Sequence, residues 1–496
     1  MPADIARSSR SWPRSPPRSL PASQLIADAM AALIERGVLL PGDRMPSVRQ
    51  VALEHRISLA TALQSLRALE SRGLVEARPK SGYFVRRRAR RLEEPATPAV
   101  IAAPQRVDVE RHAEAVEARA SAHPQAAALG GFLPARVFTP AKRLARLVRQ
   151  AVNESPSILA RPAAIEGHEA LRRELARRHA ELGVGIEADA FIVTQGITEA
   201  LALALRAVAQ AGDTVAVESP AWPGTWRTIE ALGLTVVEIP THPRDGVSLE
   251  ALESLIGQRP IRAAVLTAHV GGPLGANPTD GRRKLLVALL ETRGIAVIAD
   301  DSGGDLPFEG ARPKPLKAFE RAGGVLLCGA CAHTVAPGLG VGWIAAGRWH
   351  ARVAALKAAT VGATPELASR ALAAFFAQGG YELHLRHLRR AFALSVLQTS
   401  DALARDFPAA TRISRPAGGH GLWVELPAHV DALALHARAV EAGTGYAPGR
   451  LFAPGNAYAN ALRIDCGEPW SSERAAAIAT LARVVREAVS STPGTA

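Results

Sequence analysis

The sequence predicts a multidomain chain: a small helical head ending in a β-hairpin, then a large α/β domain built on a mainly parallel sheet. Three observations predict it. Helical periodicity fills residues 22–72 and gives way to two short β runs. Beyond about residue 130, continuous apolar runs alternate with helical segments, the pattern of strands buried on both faces. The 496 residues leave room for roughly two to four domains.

In the head, Leu25, Ile26, Ala29, Met30, Leu33 and Ile34 recur at helical spacing and predict a helix over 22–37, broken by Pro41 and Gly42. Ser47 and Gln50 form a capping box for a second helix that runs to His55. Ser58 caps a third, Leu59 to Arg72, with Ala62, Leu63, Leu66 and Leu69 on its buried face and Gly73 past its end. Leu74–Ala77 and Gly82–Val85 flank Arg78–Ser81 as a hairpin wing. Three helices and a wing make a winged helix-turn-helix. A helix has the width that enters a major groove, so the third helix is the expected reader and double-stranded DNA the expected partner. The competing reading is a helical bundle with no nucleic acid. Charge argues against it: residues 1–100 hold 17 Lys and Arg against 9 Asp and Glu, most of the net +13 of the chain.

Composition excludes other classes. No run approaches about 18 uninterrupted apolar residues, so no membrane helix is expected. Residues 1–17 read as a disordered basic tail and not as a secretory signal, since no apolar segment follows the charges. The three cysteines fit a reducing cytoplasm, on the nucleoid if the head binds DNA. Cys328 and Cys331 form C-x-x-C with His333 nearby, but packing is the default reading and no metal is expected.

The winged head is expected over 18–86 and a flexible linker over 87–125, with one short helix between Asp108 and Ala120. The α/β domain then spans 126–496, its larger part about 170–360 and its smaller part about 361–490. Strands are expected at 190–194, 214–218, 235–239, 263–267, 296–299, 325–328 and 342–346. Ligands of such sheets sit beyond the carboxyl ends of the strands. There Gly196, Ile197 and Thr198 open a helix and offer N–H groups to a phosphate, Trp222 can stack on a flat ring, and Asp300 or Asp301 can meet a ring nitrogen.

The stretch "LLPGDRMPSVRQVALEHRISLATALQSLRALESRGLVEARPKSGYFV" resembles the DNA-binding domain of the GntR family of bacterial regulators. The resemblance implies DNA contacts from Arg49, Ser58, Thr61, Arg67, Lys80 and Gly82; Gln64 faces the same way and is expected to read a base. Leu59 and Ala60 depart from the family, which often carries polar residues there, so base reading is left to few side chains or to DNA shape. The stretches "FIVTQGITEALALALRAVAQAGDTVAVESPAWPG", "GPLGANPTDGRRKLLVALLETRGIAVIADDSGGDLPFEG" and "RPKPLKAFERAGGVLLCGACAHTVAPGLGVGWIAAGRW" resemble aminotransferases of the type I pyridoxal-phosphate fold. Both halves together resemble the MocR branch of regulators. This implies a homodimer and a cofactor pocket around Gly196, Ile197, Thr198, Trp222 and Asp300, with Arg463 clamping a ligand carboxylate, such as that of an amino-acid effector. Against the family pattern, His333 stands where the Schiff-base lysine is expected, Gly340 where an arginine holds the cofactor phosphate, and Gly272-Pro273 where Asn-Pro is usual. Ser302-Gly303-Gly304 replace a tyrosine, and Arg161-Pro162 lie where a tyrosine is expected from the partner subunit. The expectation is a regulator with no catalytic residue and no lysine-bound pyridoxal phosphate. The alternative is a pyridoxal-phosphate enzyme, either aminotransferase-like or a variant with a histidine base.

Overall fold

The computed structural model describes residues 21–71, 73–78, 81–86, 91–97 and 103–491; the expected tail and Lys80 lie outside them. The chain divides into two compact units, Met1–Ala89 and Arg90–Ala496.

In the first unit, α1 (Ala22–Glu35), α2 (Val48–His55) and α3 (Leu59–Ser71) precede an antiparallel pair, β1 (Val75–Arg78) and β2 (Gly82–Val85). Ser47 Oγ accepts from the Gln50 N–H at 3.2 Å and Ser58 Oγ from the Thr61 N–H at 3.1 Å, so both expected caps form. Between them Arg56 takes the left-handed conformation, φ 52°, which turns the chain from α2 into α3. Met30, Val51, Ala62, Leu66 and Leu69 are fully buried where the three helices meet. The wing is latched to α3, because the Glu70 carboxylate accepts from the Ala77 N–H.

The second unit opens with β3 (Gln105–Arg106), α4 (Glu110–Ala122), β4 (Ala127–Ala128), α5 (Ala141–Glu154) and α6 (Glu169–Glu181). The linker expected over 87–125 is therefore shorter. Leu92 is buried, β3 joins the main sheet beside residues 235–236, and α4 is fixed by Glu110, which takes a bidentate Arg227. Next come β5 (Phe191–Thr194), α7 (Gly196–Val208), β6 (Thr214–Ser219), α8 (Pro223–Ala231), β7 (Thr235–His242), β8 (Gly246–Val247), α9 (Leu249–Gln258), β9 (Ala263–Leu266), α10 (Asp280–Thr292) and β10 (Ala296–Asp300). β11 (Val325–Ala330) and β12 (Gly342–Ala345) complete the large sheet, in the order β3-β7-β6-β9-β10-β11-β12-β5. β5, β6, β7, β9, β10 and β11 run one way. β12 runs antiparallel to β11 and β5, because a short loop and no crossover helix joins it to β11.

Alternate residues of each strand enter two separate cores. Phe191, Val193, Ala216, Val237, Val297 and Leu327 face α5, α6, α9 and α10. Ile192, Val215, Val217, Val236, Ile298 and Leu326 face α7, α8 and a later helix, α11 (His350–Thr360). Trp226 of α8 is fully buried on the second face, worth about 3 kcal/mol of transfer free energy at that area. Cys328 and Cys331 fall into opposite cores and are free thiols, so the C-x-x-C spacing makes no pair.

α12 (Glu366–Ala377) and α13 (Gly380–Asp406) lead to the smaller sheet, whose strands are β13 (Arg412–Ile413), β14 (Gly421–Glu425), β16 (Ala447–Pro448) and β17 (Ala461–Asp465) in the order β13-β14-β17-β16. α14 (Ala432–Glu441) and α15 (Ser472–Ser490) cover it, and β15 (Thr444–Gly445) pairs with β4. Among the described residues, no helix is long and apolar enough to cross a membrane.

Candidate DNA-reading head and ligand pocket

In the head, α3 presents Ser58 at its N-terminus and Gln64 and Arg67 along its outer face, all exposed, with Thr61 half-buried. Arg49 is exposed on α2, and Gly82 opens the second wing strand with φ 101°. The residues expected to touch DNA thus lie on α2, α3 and the wing, apart from Lys80, which is outside the described residues. Arg44 and Arg56 are exposed as well and were not anticipated; their signal was only the basic bias of this region.

In the second unit, the expected pocket residues come from five places. Gly196, Ile197 and Thr198 form the first turn of α7. Glu199 closes that turn: its carboxylate accepts from the Gln195 N–H at 2.5 Å and from Lys357 Nζ at 2.7 Å. An acid at a helix N-terminus answers the positive end of the dipole from within the chain. Asp300 ends β10 and accepts from the Ser302 N–H at 2.9 Å; burial holds its carboxyl above the usual range. The His269 Nε2–H donates to the Asp300 carbonyl at 2.7 Å, while its Nδ1 accepts from the Gly271 N–H. This draws two loops together. A Cβ on Gly303 would stand 2.6 Å from the Gly271 Cα, so neither residue can be anything larger. Glu218, buried at the end of β6, is pushed up to about 7 by burial.

Trp222 caps α8 and donates its indole N–H to the Gly271 carbonyl at 2.9 Å. The Arg463 guanidinium lies over its ring, 4.9 Å from the centroid, and Phe132 meets it edge-on at 5.9 Å. Arg463 itself, on β17, is 2% exposed. It donates to the carbonyls of Gly131 at 2.7 Å and His420 at 3.4 Å, and Asp465 Oδ1 is 3.9 Å away. Its Nε–H has no protein partner. A Cβ on Gly421 would stand 2.4 Å from the guanidinium, so glycine is required there.

His333 follows β11 and is half-buried. Its Nδ1 lies 3.3 Å from His420 Nε2, and His420 Nδ1 lies 2.8 Å from Asp465 Oδ1. A carboxylate only accepts, so the His420 Nδ1–H donates to Asp465. A single proton then lies between the facing nitrogens of His420 and His333. Burial first, then the neighbouring His420 and Arg463, push His333 down to about 3, so it is neutral at pH 7. Sequence reasoning missed His420 and Asp465. The only signals were a histidine set among Gly418, Gly419 and Gly421 before a strand, and an acid two residues beyond Arg463. Of the five lysines among the described residues, Lys142, Lys284 and Lys314 are exposed. Lys317 and Lys357 are buried against Glu320 and Glu199. No cluster among the described residues could hold a metal ion.

Comparison with known proteins decides the family. The profile described as "Bacterial regulatory proteins, gntR family" matches residues 22–85, and "Aminotransferase class I and II" matches 139–444. The HTH-type transcriptional regulator YjiR of Escherichia coli K12 is 32% identical over 473 residues, covering 94% of this chain and 99% of its own length. This chain is a MocR-type regulator of the GntR family. Other MocR-type relatives agree: YdcR of Escherichia coli K12 is 32% identical over 94% of this chain and 99% of its own, and the pyridoxine biosynthesis regulator PdxR of Corynebacterium glutamicum is 25% identical over 76% and 77%. Among solved structures, the α-aminoadipate aminotransferase LysN of Thermus thermophilus superposes with a TM-score of 0.70 at 24% identity, covering 77% of this chain and 97% of that one. The MocR regulator therefore carries a GntR-type DNA-binding head and a type I aminotransferase fold.

Proposed function

We propose that this regulator binds DNA as a homodimer, makes no imine with pyridoxal phosphate, and uses its pocket to sense a small carboxylate such as an amino acid. The residues present do not fit a lysine-bound cofactor. His333 stands against Trp222 and His420 where the lysine is expected, both buried lysines are spent in ion pairs, and an imidazole cannot form the imine. The Glu199 carboxylate sits at the helix turn that would take a phosphate, on the Gln195 N–H, and the face of Trp222 is met by Arg463. The observation that carries the sensing role is Arg463: a buried guanidinium whose Nε–H lacks a partner is completed by a ligand carboxylate. Leu133, Val137 and Leu159, exposed at 44%, 71% and 71%, supply apolar surface for the dimer.

The His333–His420–Asp465 chain favours one second reading, an enzyme with a histidine base. Its own electrostatics weigh against that: a group that ionises near 3 is a poor base at neutral pH.

Light scattering of the full chain should give the mass of two copies. A thermal-shift screen of free amino acids should raise the unfolding midpoint of the wild type, and the shift should vanish in Arg463→Lys, since an ammonium cannot supply the paired donors. A monomer, or equal shifts in both proteins, would remove this reading.

A further inference from the structure

The face of α3 opposite the head's core is formed by Ala60, Gln64 and Arg67, spaced i, i+4 and i+7, with Leu59 at the tip of the first turn. Leu59 is 55% exposed, Ala60 is exposed, and neither joins the apolar cluster of the head. Burial gives no reason for an outward leucine between Ser58 and Thr61. It stands on a surface that otherwise offers Arg44, Arg49 and Arg56 to a polyanion. Within a major groove the apolar group a base pair presents is the thymine C5 methyl. Gln64, one turn further along the same face, has the donor and acceptor that match adenine N7 and N6.

We infer that α3 reads A·T base pairs at the core of each half-site, with Leu59 and Ala60 against thymine methyls and Gln64 on adenine. This rests on the head being the DNA-binding element.

The test starts with selection from a randomised duplex library by the full-length protein. Enriched half-sites should carry A·T pairs at their core. Replacing the core thymines of a selected duplex by deoxyuridine removes only the methyl groups. It should weaken the wild type about fourfold per contacted methyl, the factor for one buried methyl group. Leu59→Ser should bind the thymine duplex more weakly and lose most of the difference between thymine and deoxyuridine. Its thermal midpoint should be unchanged, since Leu59 lies at the surface. A G·C core, or equal wild-type affinity for thymine and deoxyuridine duplexes, would overturn the inference. Failure to enrich any duplex would overturn the DNA-binding reading beneath it, and would appear before any thymine is changed.

Discussion

Raising salt from 50 to 200 mM should weaken binding of the proposed dimer to its duplex by about three orders of magnitude. Arg44, Arg49 and Arg56 are exposed on each head. Two heads then neutralise roughly six phosphates, and the logarithm of affinity falls by about 0.9 per phosphate for each decade of salt. Arg49→Ala should lower that slope by about 1 for each head and weaken all sequences alike, because a phosphate contact carries no base information. A titration by fluorescence anisotropy at several salt concentrations measures both. A slope near zero would mean that the arginines of the head meet no backbone.

Arg312→Ala should destabilise the second unit by about 3–5 kcal/mol, the usual result of stripping the partner from buried charges. The Arg312 guanidinium donates to Asp301 Oδ2 and Asp305 Oδ1, both at 2.5 Å, from a side chain only 12% exposed. Asp305 is also reached by Arg178 and by the Tyr381 hydroxyl, and those cations hold its carboxyl far below the usual range. A folded-state value below the unfolded one contributes stability above the unfolded pKa, about 3.9, which is lost as pH falls through the folded value. The acid loss should therefore be smaller in Arg312→Ala than in the wild type. Six of the seven tryptophans lie in the second unit, so urea unfolding followed by tryptophan fluorescence reads it directly. Removing the charges together, as Arg312→Met with Asp301→Asn and Asp305→Asn, should restore much of the loss. Wild-type stability in Arg312→Ala would mean that water already carries these charges.

The strands were legible because a parallel sheet covered on both faces makes each one a continuous apolar run, as at Val215–Val217 and Ala296–Ala299. The helix starts at Ser47 and Ser58 were legible because a cap is local chemistry. The reversal of β12 was not, since apolar runs carry no direction. The docking of residues 92–122 was not, because Pro- and Ala-rich composition hides single anchors such as Leu92 and Glu110. In the pocket, His333, Trp222, Asp300 and Arg463 stood out by their place after strands or within a motif. Their partners did not. Glu199 with Lys357 and His420 with Asp465 are 158 and 45 residues apart, and only the fold brings them together. The same holds for Arg463, whose covering of Trp222 joins two residues that the sequence offered as separate ligand contacts.

In the proposed regulator no nitrogen able to form an imine reaches the site of His333. Purified full-length protein is titrated with pyridoxal 5′-phosphate, followed in the visible, reduced with borohydride, and digested for mass spectrometry. The expected result is no absorbance band of a protein-bound imine and no phosphopyridoxyl-lysine peptide from the pocket. A stoichiometric adduct on Lys317, Lys357 or any other single lysine, formed at micromolar cofactor, would contradict the account.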